Sequence, residues 1–183
     1  MRIERSTIEG LVLIEPRVFE DERGSFLETY HDERYRDAGI PSAFRQDNCS
    51  TSHRNVLRGL HYQVQHPQGH LVTVTHGTIF DVGVDLRPNS ASFGRWFGTI
   101  LTASPPRQAF LPPGVAHGFC VLSDVAELWY KCTEIYHAND EGGLLWCDPE
   151  LGIEWPLSDP IIAPKDATFP RLRDIPPDRL PRV

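Results

Sequence analysis

Arginine, histidine and glutamine stand close together in the apolar run Val56-Leu57-Arg58-Gly59-Leu60-His61-Tyr62-Gln63. Polar groups at this spacing, in β-favouring surroundings, point to the lining of a cavity, although a hydrogen-bonded core histidine satisfies the same pattern. An imidazole titrates at an ordinary pKa of about 6.5, so His61 is the group here best suited to moving protons near neutrality. Along a strand, alternation places Leu57, Gly59, His61 and Gln63 on one face and Arg58 on the other. A bulge at Gly59 would turn Arg58 and His61 toward one cavity.

Three kinds of chemistry compete for such a cavity. Proton transfer beside a carbonyl needs an imidazole base, a phenol such as Tyr130, and a carboxylate to orient the imidazole. Asp166, in Ala163-Pro164-Lys165-Asp166, is a candidate for the carboxylate, although alone it reads as a surface loop acid and Tyr130 as a packed aromatic. A metal site would draw on His61, His66, His70, His76 and His117, and Pro113-Gly114-Val115-Ala116-His117 resembles the second histidine motif of metal-binding cupins. Their first motif offers His-x-His and a nearby glutamate. Here Tyr62-Gln63 follows His61, so no metal ligand set is assigned. The third option is a non-catalytic ligand-binding barrel whose Arg23 and Arg58 grip phosphate in bidentate fashion.

The chain that must position these groups reads as short strands between turns. Segment 10–15 is a β-type run closed by Pro16, and 17–30 has the pattern of a hairpin around the acidic turn Glu20-Asp21-Glu22-Arg23-Gly24. Segment 31–39 is the clear short helix, ended by Gly39 and Pro41, while 46–54 reads as polar and turn-rich. Strands are expected at 71–75, 78–87, 96–101, 108–111, 118–122 and 126–136. In 78–87 the alternation is clean, with Phe80, Val82, Val84 and Leu86 opposite Asp81, Gly83, Asp85 and Arg87. The proline-rich tail should wrap the body irregularly, with one short helix near its end. Short strands about ten residues apart and almost no helix predict an all-β jelly roll, a sandwich or barrel with a few short peripheral helices. A single domain over 1–183 is expected, with N-terminal strands in 1–55, a core barrel in 56–147 and the wrap in 148–183.

Composition narrows the partners. A net charge of −7 argues against a general nucleic-acid or membrane-surface binder, so any polyanionic ligand needs local arginines. No stretch approaches the roughly 20 apolar residues of a membrane span, and the N-terminus lacks an apolar signal core. The four cysteines, Cys49, Cys120, Cys132 and Cys147, are scattered. They are read as reduced, buried or near-buried thiols of a cytoplasmic protein, with zinc binding through them not expected.

A set of motifs in order along the chain changes the weighting. Pro16-Arg17-Val18-Phe19-Glu20-Asp21-Glu22-Arg23-Gly24-Ser25-Phe26-Leu27-Glu28 resembles the opening motif of the deoxythymidine-diphosphate-4-dehydrorhamnose 3,5-epimerase family. Gln46-Asp47-Asn48, the run from Leu57 to Gln63, and Gly77-Thr78-Ile79-Phe80-Asp81-Val82-Gly83-Val84-Asp85-Leu86-Arg87 resemble later motifs of that family. So do Pro113-Gly114-Val115-Ala116-His117-Gly118-Phe119, Tyr130-Lys131-Cys132-Thr133, Trp146-Cys147-Asp148-Pro149 and Ile153-Glu154-Trp155-Pro156. Each is weak alone; together, from about residue 8 to 170, they are specific.

The resemblance implies a cofactor-free, cupin-type jelly roll, usually a homodimer, acting on a nucleotide-diphospho-4-keto-6-deoxyhexose in deoxysugar biosynthesis. It implies that His61 removes a proton next to the C4 ketone, Asp166 orients His61, and Tyr130 returns a proton on the opposite face. Arg23, Glu28, Gln46, Asp47, Asn48 and Arg58 would surround the nucleotide and diphosphate, some of them from the other subunit. His117 and Glu141 would line the sugar or diphosphate end, and Tyr136 would stack on the base. One position departs from the pattern. The family's catalytic lysine is replaced in Gln68-Gly69-His70-Leu71-Val72 by His70, which carries a full charge only when protonated. Single-centre epimerisation at C3 or C5 therefore stands beside the 3,5-reaction. The rivals are a metal-dependent cupin enzyme and a sugar-nucleotide binding barrel without activity.

Overall fold

The computed structural model describes residues 1–40 and 43–183. Its strands are β1 (Arg2–Arg5), β2 (Val12–Glu15), β3 (Val18–Asp21), β4 (Gly24–Leu27), β5 (Gln46–His53), β6 (Val56–Gln63), β7 (His70–His76), β8 (Thr78–Asp85), β9 (Trp96–Thr102), β10 (Gln108–Leu111), β11 (Val115–Val121), β12 (Val125–Cys132), β13 (Glu141–Gly143) and β14 (Ile161–Ile162). One sheet runs β1-β2-β10-β7-β12-β5 and the other β13-β6-β11-β8-β9, with β14 added in parallel to β6. The fold is an all-β jelly roll. Strands β3 and β4 form a separate hairpin.

Three apolar clusters hold these layers. Between the sheets, Leu13, Val74, Leu111 and Leu128 from one meet Ile79, Leu101, Phe119 and Val121 from the other. On the outer side of the second sheet, Leu60, Val82, Val84 and Ala116 are covered by Leu151, Ile153, Trp155, Leu172 and Ile175 of the tail. The proline-rich segment thus replaces a third layer. The short helix α1 (Asp32–Asp37) lays Tyr35 against Val12, Ile14 and Phe110 on the outer side of the first sheet. Strand β8 shows how both of its faces become buried. Val82 and Val84 face the tail, while Asp81 and Asp85 are 3% and 0% exposed. Burial raises the Asp85 pKa, but hydrogen bonds from Arg87, Ser90 and Ser92 outweigh it and carry the pKa down to about 2.

Several expectations change. Segment 46–54 contains the eight-residue strand β5, not a turn-rich linker. Its inward residues Gln46, Asn48, Ser50 and Ser52 are polar, so the strand lacks the apolar alternation that announces one. The tail carries three short 3-10 turns, Asp166–Thr168, Leu172–Asp174 and Pro177–Arg179, rather than one helix. Cys120 and Cys132 are buried thiols, but Cys49 and Cys147 are exposed, because Cys49 lies on the outward parity of β5. Helix α1 ends before Gly39, whose φ of +87° suits glycine; Pro41 lies outside the described residues. No helix among the described residues is long and apolar enough to cross a membrane.

Candidate active site

The site begins with a slip between neighbouring strands. His117 pairs with His61, and Phe119 pairs with Arg58, so two steps along β11 match three along β6. The extra residue breaks strict alternation, and Arg58 and His61 both line one cavity of about 520 Å³. Only glycine fits at the slip. Gly59 has φ +111°, and a Cβ there would lie 2.6 Å from the His117 carbonyl oxygen and 2.7 Å from the Gly118 Cα.

The tail supplies the partner of His61. Asp166, 3% exposed, places Oδ1 2.9 Å from His61 Nε2, while its Oδ2 accepts from the Gly59 backbone N–H at 3.1 Å. Burial raises the carboxyl pKa, but the hydrogen bonds from His61 and Gly59 and the nearby Lys165 charge more than offset it, so Asp166 remains ionised. An ionised acceptor at Nε2 selects the neutral tautomer with its proton there and leaves Nδ1 as the basic nitrogen. Phe169 meets the His61 ring edge to face at 5.7 Å. Gly143 makes room for it, since a Cβ there would sit 2.2 Å from the Phe169 ring.

Tyr130, on β12, lines the same cavity. Burial, then the neighbouring Cys132, push its pKa up against the opposing effects of Arg58 and Asn48, so the phenol holds its proton at neutral pH. His70 lies between these groups, with ring centroids 5.4 Å from His117 and 5.5 Å from Tyr130. Desolvation, then the proximity of His117 and His61, drive its pKa down to about 3. Gln68 donates its amide N–H to the Glu134 carbonyl at 2.7 Å and turns its oxygen to His70 Nε2 at 3.3 Å. His70 is therefore neutral with its proton on Nε2, and that proton is engaged by Gln68. His117 forms a second imidazole–carboxylate pair, 2.7 Å from Asp81.

A second cavity of about 300 Å³ shares His61, His70 and Tyr130 and extends to Gln46, Asn48, Tyr136 and Glu141. Glu141 is paired with Lys165 at 2.8 Å, and the Tyr136 hydroxyl donates to Glu141 at 3.3 Å. The structure thus gathers His61, Tyr130, Asp166, His70, Arg58, His117, Gln46, Asn48, Tyr136 and Glu141 around two adjoining cavities. Arg23, Glu28 and Asp47 line neither. Arg23 pairs with Asp21 at the hairpin tip, Glu28 with Arg34 at 2.6 Å, and Asp47 with Lys131 at 2.8 Å on the outward parity of β5. Gln63 was noted from the sequence only as an amide on the face of His61, and Gln68, Asp81 and Lys165 were given no role. Asp81 was the most legible of them, as an acid in the middle of an apolar strand. Of the imidazoles considered for a metal, His66 stacks on His137 at 4.3 Å, and His76 is exposed at the far end of β7. No group of three or more His, Cys, Asp or Glu among the described residues is arranged to hold a metal ion.

Comparison with known proteins adds the following. The family described as dTDP-4-dehydrorhamnose 3,5-epimerase matches residues 5–174. The dTDP-4-dehydrorhamnose 3,5-epimerase of Methanothermobacter thermautotrophicus is 47% identical over 178 residues, covering 96% of each chain. The dTDP-4-dehydrorhamnose 3-epimerase of Streptomyces niveus is 42% identical, covering 91% of this chain and 81% of that protein. Among solved structures, dTDP-6-deoxy-D-glucose-3,5-epimerase of Legionella pneumophila, in complex with dTDP-4-keto-L-rhamnose, superimposes with a TM-score of 0.95. It is 46% identical and covers 100% of this chain and 98% of that one.

Proposed function

The chain belongs to the dTDP-4-dehydrorhamnose 3,5-epimerase family, a family of isomerases, and we propose that it epimerises a deoxythymidine-diphospho-4-keto-6-deoxyhexose through an enolate, with His61 removing a proton from carbon and Tyr130 returning one. The observation that carries this reading is the His61–Asp166 pair opening onto the cavity that Tyr130 also lines. A C4 ketone acidifies the hydrogens on C3 and C5. His61 Nδ1 takes one of them, and the C–H electron pair moves into the enolate with charge on the ketone oxygen. The Asp166 carboxylate stabilises the imidazolium so formed. Tyr130 then delivers its phenolic proton to the opposite face of the carbon, which inverts the centre, and solvent restores both groups. No redox step is involved, and the ketone itself supplies the activation, so the reading is cofactor-free.

The same reading makes the protein a cytoplasmic homodimer with shared sites. Arg23 and Glu28 lie on or beside a hairpin that exposes Phe19 and Phe26, 48% and 69% accessible. A second copy that seats this hairpin over the two cavities would bury both rings and bring Arg23 to the diphosphate. Arg58, held by Ser52 at 3.0 Å, is then a cation already inside, with Lys165 lining the same cavity. Gln46, Asn48 and Tyr136 take the nucleotide, and His117 and Glu141 the sugar end.

A second reading, epimerisation at one carbon only, draws support from His70. A neutral imidazole whose Nε2 proton is engaged by Gln68 gives the enolate oxygen less help than a cation would. Incubation with dTDP-4-keto-6-deoxyglucose in D₂O, followed by NMR, separates the readings. Deuterium at C3 and C5 fits the double epimerase and at one carbon the single one. Exchange no greater than in His61→Ala refutes both. Stoichiometric metal by elemental analysis, with activity lost on its removal, would favour the metal-dependent rival.

A further inference from the structure

Three side-chain amides converge on the loop that carries Tyr136. Gln63, 4% exposed and two residues beyond His61 on β6, donates its N–H to the His137 carbonyl at 2.7 Å. Its oxygen accepts from the His137 N–H at 3.1 Å, so both ends of the amide are used. Gln46 accepts from the Tyr136 N–H at 2.9 Å, and Gln68 donates to the Glu134 carbonyl at 2.7 Å. The loop is otherwise polar and exposed, with Ile135 and Tyr136 44% and 45% accessible. A segment with so little apolar burial is held by its hydrogen bonds.

We propose that Gln63 is a positioning residue, whose amide clamps the His137 backbone and so fixes Tyr136 as a rigid wall of the second cavity for the nucleotide base. This rests on the nucleotide-sugar reading and adds a link between the strand that carries the base catalyst and the loop that recognises the nucleotide. One amide N–H of Gln63 remains beyond the clamp and the side chain also lines the second cavity, so the test must separate an effect through the loop from a direct contact with the nucleotide. An aromatic wall fixed before binding lowers the ordering cost of stacking, so losing the clamp weakens nucleotide affinity more than it slows chemistry.

The test is a double-mutant cycle on affinity for deoxythymidine diphosphate, measured by calorimetry for wild type, Gln63→Leu, Tyr136→Ala and the double variant. Gln63→Leu should weaken binding about tenfold, as expected for two hydrogen bonds to a loop, and raise KM similarly with kcat changed less than about threefold. In the Tyr136→Ala background the same substitution should cost less than about twofold, because its route has been removed. A full loss in that background, or a fall in kcat with KM unchanged, overturns the proposal. If Gln63→Leu does not fold, Gln63→Glu, which accepts from His137 but cannot donate, takes its place in the cycle. Wild-type deuterium exchange is measured separately, so failure of the epimerase reading shows there and not in the cycle.

Discussion

Two imidazoles that line the cavity, His117 and His61, are each paired with a carboxylate, and the pairs differ in access and anchoring. His117 and Asp81 come from the adjacent strands β11 and β8, 2.7 Å apart with side chains 10% and 3% exposed. His61 and Asp166 lie 2.9 Å apart but are separated by 105 positions in sequence, and the His61 side chain is 35% exposed. The buried pair satisfies two polar groups within the sheet. The open pair leaves one imidazole nitrogen facing the space where a substrate would sit. In the proposed reaction the same two residue types therefore serve as a fixed wall at the sugar end in one place and a proton acceptor in the other, and how far each imidazole opens to the cavity decides which.

The sharpest break of that comparison is His61→Ala. Loss of a positioned base should lower kcat by about 10²–10⁴-fold, with exchange into D₂O lost in parallel, and Tm should fall modestly because the buried Asp166 loses one partner while Gly59 still holds it. Asp166→Asn comes next. It removes a charge-assisted hydrogen bond and the stabilisation of the imidazolium, so kcat should fall about 10–100-fold with KM little altered. A variant with normal kcat would mean that the tail merely packs against His61.

Asp81→Ala should behave in the opposite manner. It leaves a buried imidazole N–H without an acceptor, a cost of about 1–3 kcal/mol, and Tm should fall by about 3–10 °C for a chain of this size. Activity should suffer less than in Asp166→Asn. Thermal melts and steady-state rates on the two variants together test the assignment, and equal profiles would erase the distinction between the pairs.

What the sequence revealed depended on whether apolar residues carried the information. Strand β8 was legible because Phe80, Val82 and Val84 alternate with small or acidic residues, and both of its faces are now seen to be buried. Strand β5 was not, because its inward residues are the amides and hydroxyls that line the site; the function of the strand concealed its structure. His61 stood out by residue type, whereas Tyr130 alone reads as a packed aromatic, and no spacing rule joins His61 to a carboxylate midway along a proline-rich tail. That pairing came from family resemblance. Arg23, Glu28 and Asp47 remain apart from the cavities in a single chain. The proposed dimer would account for Arg23 and Glu28, while nothing in one protomer explains Asp47.

His70 offers the finest test, because it sits between the two pairs and titrates unlike an ordinary histidine. Its pKa is depressed from about 6.5 to about 3 by burial and by its neighbouring imidazoles. Between those values the unfolded chain binds a proton at this position and the folded one does not, so stability falls as pH is lowered from 6.5 toward 3. Its contribution is fully present above pH 6.5 and falls by at most about 1.4 kcal/mol per pH unit below it, or about 3–6 °C in Tm per unit. His70→Gln keeps a polar side chain near Gln68 and removes the titration. Melts of the two proteins from pH 7 to 5 should show a shallower acid slope for the variant, while above pH 7 their difference in Tm should be constant. Parallel slopes would mean that His70 is readily protonated in the folded protein. It would then be a cation beside the ketone, and the argument for single-centre epimerisation would lose its basis.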